Sequence, residues 1–277
     1  MKKINFIKAQ GLGNDFVLFF NQKHLSISKK LVNFFSDRKI GIGCDLIALV
    51  NESKNDYSDL NAKFYNRDGS EAEVCGNALR CIGKYYFQNN KIKNVTVETS
   101  KGLIDVEKFD ENLIIADLGR PNLQWHKIPL KYDIDSRNLG IDLDYLKKGF
   151  ALNVGNPHVI FFVEEINKKK LEIDSAKLMG LKIFPEGVNV SIVKLESRKK
   201  ISILTFERGA GLTEACGSGA GASAFVSYKL NYCGNKIEVC MPGGNLNVEI
   251  SKDDHILTIG EGKIVFEGNI FIKDYLQ

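Results

Sequence analysis

The sequence predicts an α+β protein made of two related halves, each a set of strands with one central helix. Three observations predict it. Motifs recur in the same order at a spacing of 141 to 144 residues. Most other segments are short, β-branched or aromatic, and bounded by Gly, Asn or Pro, which is strand patterning. Two stretches carry helical spacing instead, and each starts at a cysteine of the repeat.

The repeat is sought first because a fixed period decides architecture. Leu12-Gly13-Asn14-Asp15-Phe16-Val17 corresponds to Val154-Gly155-Asn156-Pro157-His158-Val159. Gly43-Cys44-Asp45-Leu46 corresponds to Gly187-Val188-Asn189-Val190. Glu73-Val74-Cys75-Gly76-Asn77 corresponds to Glu214-Ala215-Cys216-Gly217-Ser218. Nine residues before the cysteines stand Asn66 and Glu207, and Lys101-Gly102-Leu103 matches Gly243-Gly244-Asn245. Turn chemistry alone explains each Gly-Asn or Cys-Gly pair, but not their common spacing. The repeat units run over about 4–118 and 145–262. The expected halves are 1–118 with 263–277, and 119–262.

Within that frame, Phe16–Phe20, Val95–Thr99, Leu103–Glu107 and Leu246–Ile250 are expected strands, as is the tail Lys263–Ile272. Ala78–Gln88 and Gly219–Asn231 are the expected helices. The basic runs Lys168-Lys169-Lys170 and Arg198-Lys199-Lys200 are expected as solvated turns.

Composition narrows the class. With 277 residues, 44% hydrophobic and 26% charged, the chain is long enough for one large domain or two small ones, each with a core. A net charge of +4, from 38 basic and 34 acidic residues, is too mild for a nucleic-acid binder. Apolar runs such as Val159–Val163 are far shorter than the roughly 18 residues that span a bilayer. The start Met1–Lys8 has basic residues but no apolar core of a signal peptide. A cytoplasmic location is expected, with all six cysteines reduced. Cys44, Cys81, Cys233 and Cys240 are expected to be small buried hydrophobes.

Cys75 and Cys216 are different, because each stands at a helix start. Unpaired N–H groups and the helix dipole favour a thiolate there and can hold a carboxylate. The following Gly76 and Gly217 allow close approach to the backbone. A pair of such sites suits stereoinversion at carbon, with one thiolate removing a proton and one thiol supplying another to the opposite face. The competing chemistries fit less well. A Cys–His hydrolase using His158 leaves the second cysteine motif unexplained. Zinc-type spacing is missing. Gly217–Gly221 lacks the Gly-Lys-[Ser/Thr] ending of a phosphate loop, and neither Gly11-Leu12-Gly13 nor Gly41-Ile42-Gly43 completes a dinucleotide fingerprint. A Cys75–Cys216 thiol switch is the alternative from a non-enzymatic class.

These motifs resemble the diaminopimelate epimerase family over nearly the whole chain. The resemblance rests on Gly11–Val17, Asn66–Asn77, Gly155–His158, Phe184–Asn189, Glu207–Gly219 and Pro242–Gly244. It implies two pseudo-symmetric α+β domains, each a β-barrel-like sheet around a central helix. It implies interconversion of LL- and meso-diaminopimelate, on the route to lysine and peptidoglycan, without pyridoxal phosphate or metal, by a homodimer. Cys75 and Cys216 match the acid and base. Gly76, Asn77, Gly217 and Ser218 match donors to the reacting carboxylate. By the same resemblance Glu207 meets the α-ammonium, and His158 serves orientation and electrostatics. Arg208, Asn14, Asn66, Asn156 and Asn189 match positions around the far amino acid head, where an arginine fork suits a carboxylate.

Some positions depart from the family pattern. Leu46 stands where relatives often carry Gln or Gly, Gln10 where His is common, Ala78-Leu79 in place of Gly-Ala, and Gly187 in place of a frequent Arg. These bear on distal recognition rather than on the thiols.

Overall fold

The computed structural model describes residues 2–22, 25, 27–72 and 74–272. Glu73 of the first cysteine motif and 273–277 of the tail lie outside the described residues. The chain divides into two compact units, Met1–Ala116 with Gly260–Gln277, and Asp117–Ile259. The fold class is α+β, as the strand-rich patterning with a few helices requires.

The first unit opens with the hairpin β1 (Lys2–Gly11) and β2 (Asn14–Phe20). Its turn places Leu12 at φ 56 and Gly13 at φ 79, and Gly13 N donates to Gln10 Oε1 at 3.1 Å. Helix α1 (Lys29–Ser36) follows, capped by the Ser28 side chain. Then come β3 (Leu46–Glu52), parallel to β2, and β4 (Leu60–Asn66), antiparallel to β3. The short β5 (Glu71–Ala72) leads to helix α2 (Gly76–Asn89). Strands β6 (Asn94–Thr99), β7 (Gly102–Lys108) and β8 (Leu113–Asp117) form a meander, with β6 parallel to β4.

The second unit carries the two-stranded ribbon β9 (Ile141–Asp142) and β10 (Lys147–Lys148). It then repeats the plan of the first. The hairpin β11 (Phe150–Asn153) and β12 (Pro157–Phe162) precedes helix α3 (Lys168–Met179). Strand β13 (Asn189–Ser197) is parallel to β12, and β14 (Lys200–Glu207) is antiparallel to β13. The short β15 (Gly211–Thr213) leads to helix α4 (Gly217–Lys229). Strands β16 (Lys236–Met241), β17 (Gly244–Ile250) and β18 (Ile256–Glu261) close the meander, with β16 parallel to β14. The correspondence reaches side-chain level, since β6 and β16 bury the same alternate positions. The last strand, β19 (Lys263–Ile272), pairs antiparallel with β1.

The central helices explain the site. In α4, Gly217 and every residue from Gly219 to Ser227 are buried, and the helix packs on β11 to β14, β16 and β17. A helix buried all round must be lined with small or apolar residues, and this one is Gly, Ala, Ser, Phe and Val. Helix α2 buries Gly76 through Gly83 and packs on β1, β2, β6, β7 and β19. Both helices begin two residues before the expected start, because the cysteine itself is the N-cap. The second ends at Lys229 rather than Asn231, which takes φ 59 just beyond the helix.

Two expectations are corrected. Lys168-Lys169-Lys170 is not a turn but the first turn of α3, because Asn167 caps it and Leu171, Asp174, Ser175 and Leu178 form a buried stripe. Only two of those four are large and apolar, so the stripe is faint in sequence. Cys240 is only half-buried, whereas Cys44, Cys81 and Cys233 are buried. Arg198-Lys199 does form a turn, between β13 and β14, while Lys200 already belongs to β14. Among the described residues no helix is long and apolar enough to cross a membrane.

Candidate active site

In the first unit Cys75 is the N-cap of α2, half-buried, with its Sγ 4.0 Å from Asn14 Oδ1. Asn14 is held from behind. Its Nδ2 donates to Asp45 Oδ2 at 3.2 Å, as does the Asp15 main-chain N–H. Arg38 clamps Asp15 with both terminal nitrogens, at 2.8 and 2.7 Å, and reaches Asp45 at 2.8 Å. Lys8 completes the cluster, 2.5 Å from Asp15. Burial would raise the Asp15 carboxyl, but its bonds to Arg38 and Lys8 hold it well below the usual carboxylate range. Asn66 ends β4 and donates to Ser70 Oγ at 3.1 Å. Asn77, buried in the first turn of α2, accepts a short bond from the guanidinium of Arg80. Leu46, a departure from the family pattern, is buried in the core beneath these residues.

In the second unit Cys216 is the N-cap of α4 and is 5% exposed. Its sulfur accepts from Gly219 N at 3.3 Å and lies 3.5 Å from Ser218 Oγ. Gly219 makes room for it: a Cβ there would stand 3.2 Å from Cys216 Sγ and 3.0 Å from Thr205 Oγ1. His158, fully buried on β12, brings Nε2 to 3.0 Å from Ser218 Oγ and 2.9 Å from Asn156 Oδ1. Because Asn156 Oδ1 only accepts, Nε2 carries the proton. His158 Nδ1 then faces no hydrogen-bond partner among the described residues. Burial, and secondarily the charge of Arg208, lower the imidazole from 6.5 to about 3, so His158 is neutral.

Glu207 ends β14, accepts from Thr213 Oγ1 at 2.6 Å and hydrogen-bonds the Cys216 thiol. The sequence-based expectation of a thiol pK lowered at a helix start is corrected for Cys216. Burial, followed by the negative charge of Glu207, pushes this thiol well above its ordinary value. The bonds from Ser218 and Gly219 N oppose that rise without cancelling it. Cys216 is therefore held as a thiol.

Asn189 and Arg208 are placed together, but for different ends. The Asn189 amide bonds main chain, donating to Pro157 O at 3.0 Å and accepting from Arg208 N at 2.9 Å. It ties β13 to the ends of β12 and β14. Arg208 lays its stem over the Phe184–Gly187 turn and donates through Nη1 to Glu186 O at 2.8 Å. Gly187 has φ +73, and a Cβ on it would be 2.9 Å from Arg208 Cδ. The departure to Gly187 thus gives the arginine its seat. Sequence reasoning missed Arg80, Thr213 and the Lys8–Asp15–Arg38–Asp45 cluster. An arginine within the otherwise small or apolar run Ala78–Ile82 was the one visible signal.

Each unit presents a cysteine–glycine helix start with hydrogen-bonding side chains around it, on a fold shared with solved epimerases and racemases. Solved structures with this fold include a hydroxyproline epimerase from Agrobacterium vitis (TM-score 0.72, 11% identity, 97% of this chain and 92% of that one). They also include a probable proline racemase from Agrobacterium radiobacter K84 (TM-score 0.73, 13% identity, 98% and 94%). The family profile described as diaminopimelate epimerase matches residues 6–124 and 150–266. The diaminopimelate epimerase of Zymomonas mobilis is 35% identical over 95% of this chain and 96% of its own length. That of Carboxydothermus hydrogenoformans is 35% identical over 97% and 100%. The chain belongs to the diaminopimelate epimerase family.

Proposed function

We propose that this protein is an isomerase that interconverts LL- and meso-diaminopimelate by two-cysteine acid–base chemistry, with no cofactor. One observation carries the reading: a cysteine caps the buried central helix of each unit, at equivalent places in a duplicated plan. A thiolate takes the α-proton from one face of the carbon, and a thiol gives a proton to the other. The N–H groups at Gly76, Asn77, Gly217 and Ser218 receive the reacting carboxylate, where fixed dipoles stabilise the developing carbanion. Glu207 pairs with the α-ammonium. Neutral His158 orients Ser218 and Cys216. Arg208 meets the distal carboxylate, with Asn14, Asn66, Asn156 and Asn189 shaping the surroundings.

The halves 1–118 with 263–277, and 119–262, each supply one thiol to this reaction. The product serves lysine and peptidoglycan precursor synthesis, and a cytoplasmic location suits chemistry that needs reduced thiols. A homodimer belongs to the same reading. It is supported by β19, which pairs with β1 along one edge and carries exposed Val265, Phe266 and Phe271.

The test is solvent deuterium incorporation at one stereocentre of diaminopimelate by the purified protein without added cofactor. Cys75→Ala and Cys216→Ala should each abolish epimerisation. A fully active Cys216→Ala enzyme would sink the two-base mechanism. Turnover of proline with none of diaminopimelate would overturn the substrate.

A further inference from the structure

The duplicated sites differ in charge at two equivalent positions. Five residues after the cysteine, α2 carries Arg80 and α4 carries Gly221. Nine residues before it, β4 ends in neutral Asn66 and β14 ends in Glu207. We infer that Arg80 is a positioning residue that keeps the resting negative charge of the thiol pair on Cys75. This rests on the two-cysteine reading above and adds which thiol is the resting base.

Arg80 is fully buried one turn into α2, and its guanidinium donates to Asn77 Oδ1 two residues from Cys75. Its backbone is pinned, since a Cβ on Gly262 would stand 2.6 Å from Arg80 O. A cation out of water stabilises nearby negative charge strongly. The titratable groups acting on it include the thiols of Cys81 and Cys75. Burial raises Cys81 to about 12, which keeps that thiol neutral and leaves Cys75 to carry charge. From the packed strands, Asn14 of β2 faces Cys75, while Glu261 and Lys263, flanking Gly262, pair with each other at 2.6 Å. The second unit is arranged in the opposite sense. A Cβ on Gly221 would lie 2.8 Å from Ile256 Cγ2, so no side chain fits there. Cys216 faces Glu207 and Ser218, with neutral His158 beyond Ser218. A cation behind Cys75 favours its thiolate, and a carboxylate beside Cys216 favours its thiol.

The experiment is iodoacetamide alkylation of the whole protein across a pH series, with each cysteine followed by peptide mass spectrometry. The midpoint of each profile reports thiolate formation, and access changes only its amplitude. Cys75 is expected to have the lower midpoint. Arg80→Met should raise it by about one pH unit or more, leaving the Cys216 midpoint unmoved, and Arg80→Lys should restore it. A lower midpoint for Cys216 in the unaltered protein overturns the inference, as does a folded Arg80→Met protein with an unmoved Cys75. Should Arg80→Met not fold, the order of midpoints in the unaltered protein decides alone. No substrate enters this measurement, so a failed deuterium exchange strikes the proposed reaction and not the charge order.

Discussion

His158 Nε2 lies 3.0 Å from Ser218 Oγ, and the imidazole is neutral. With Nε2 as the donor, the Ser218 hydroxyl proton is free to turn towards Cys216 Sγ, 3.5 Å away. The histidine therefore acts through geometry and not through its own charge. Its burial has a pH consequence. Unfolded chains protonate this residue near 6.5, whereas the folded protein resists until about 3. Between those values the unfolded state binds more protons, so stability falls as pH falls. Urea melts across that range should show a shallower acid decline for His158→Asn than for the unaltered protein. An identical slope in the two would remove His158 from the acid response.

Glu207 raises the Cys216 thiol by its charge. Glu207→Gln removes that charge and nearly preserves volume. The alkylation midpoint of Cys216 should move down by about one pH unit, and epimerisation should fall at least about tenfold, since Glu207 is proposed to pair with the α-ammonium. Both are read on one preparation, by mass spectrometry and steady-state kinetics. An unchanged midpoint would show that burial alone sets this thiol.

Gly187 seats Arg208. Gly187→Ala forces a side chain into φ +73 and into the arginine stem. A stability loss of about 1–2 kcal/mol is expected from the backbone. The kinetic signature should be a raised KM for diaminopimelate with kcat less affected, since Arg208 is assigned to the distal head. Unchanged KM in a destabilised protein would confine Gly187 to the turn.

Arg38 bridges Asp15 and Asp45 behind Asn14, and it is itself half exposed. Arg38→Gln should cost about 1 kcal/mol, the modest value of a partly exposed ion pair with good geometry. Asp15 has its carboxyl depressed, so its contribution is present above the unfolded value of 3.8 and is lost as pH falls below it. The variant should lose part of that acid-sensitive stability while KM rises through a looser Asn14. Thermal melts at neutral and acid pH check the first outcome, and kinetics the second.

The frame of the fold was legible because its signals are local. The alternation in β6 and β16 and the small-residue spacing of α4 lie within single segments, and the repeat spacing requires only counting. Helices α1 and α3 were missed for the converse reason. Their buried stripes are short, and in α3 two of the four positions are Asp174 and Ser175, which read as surface until the Asp174 carboxylate is seen taking the Tyr145 and Leu146 N–H groups. The motif marked Asn189 as a ligand contact, and only the structure reveals that its amide also bonds main chain at both ends.

The sequence by itself determined that there are two halves and that each sets one cysteine at a helix start, since spacing and periodicity are properties of neighbours along the chain. The charge state of those cysteines was decided only in three dimensions. The helix start favours thiolate at both positions, but protonation depends on loss of water and on charges brought near by strands and turns far away in sequence. Burial and Glu207 hold the proton on Cys216, a fully buried Arg80 lies behind Cys75, and desolvation keeps His158 neutral.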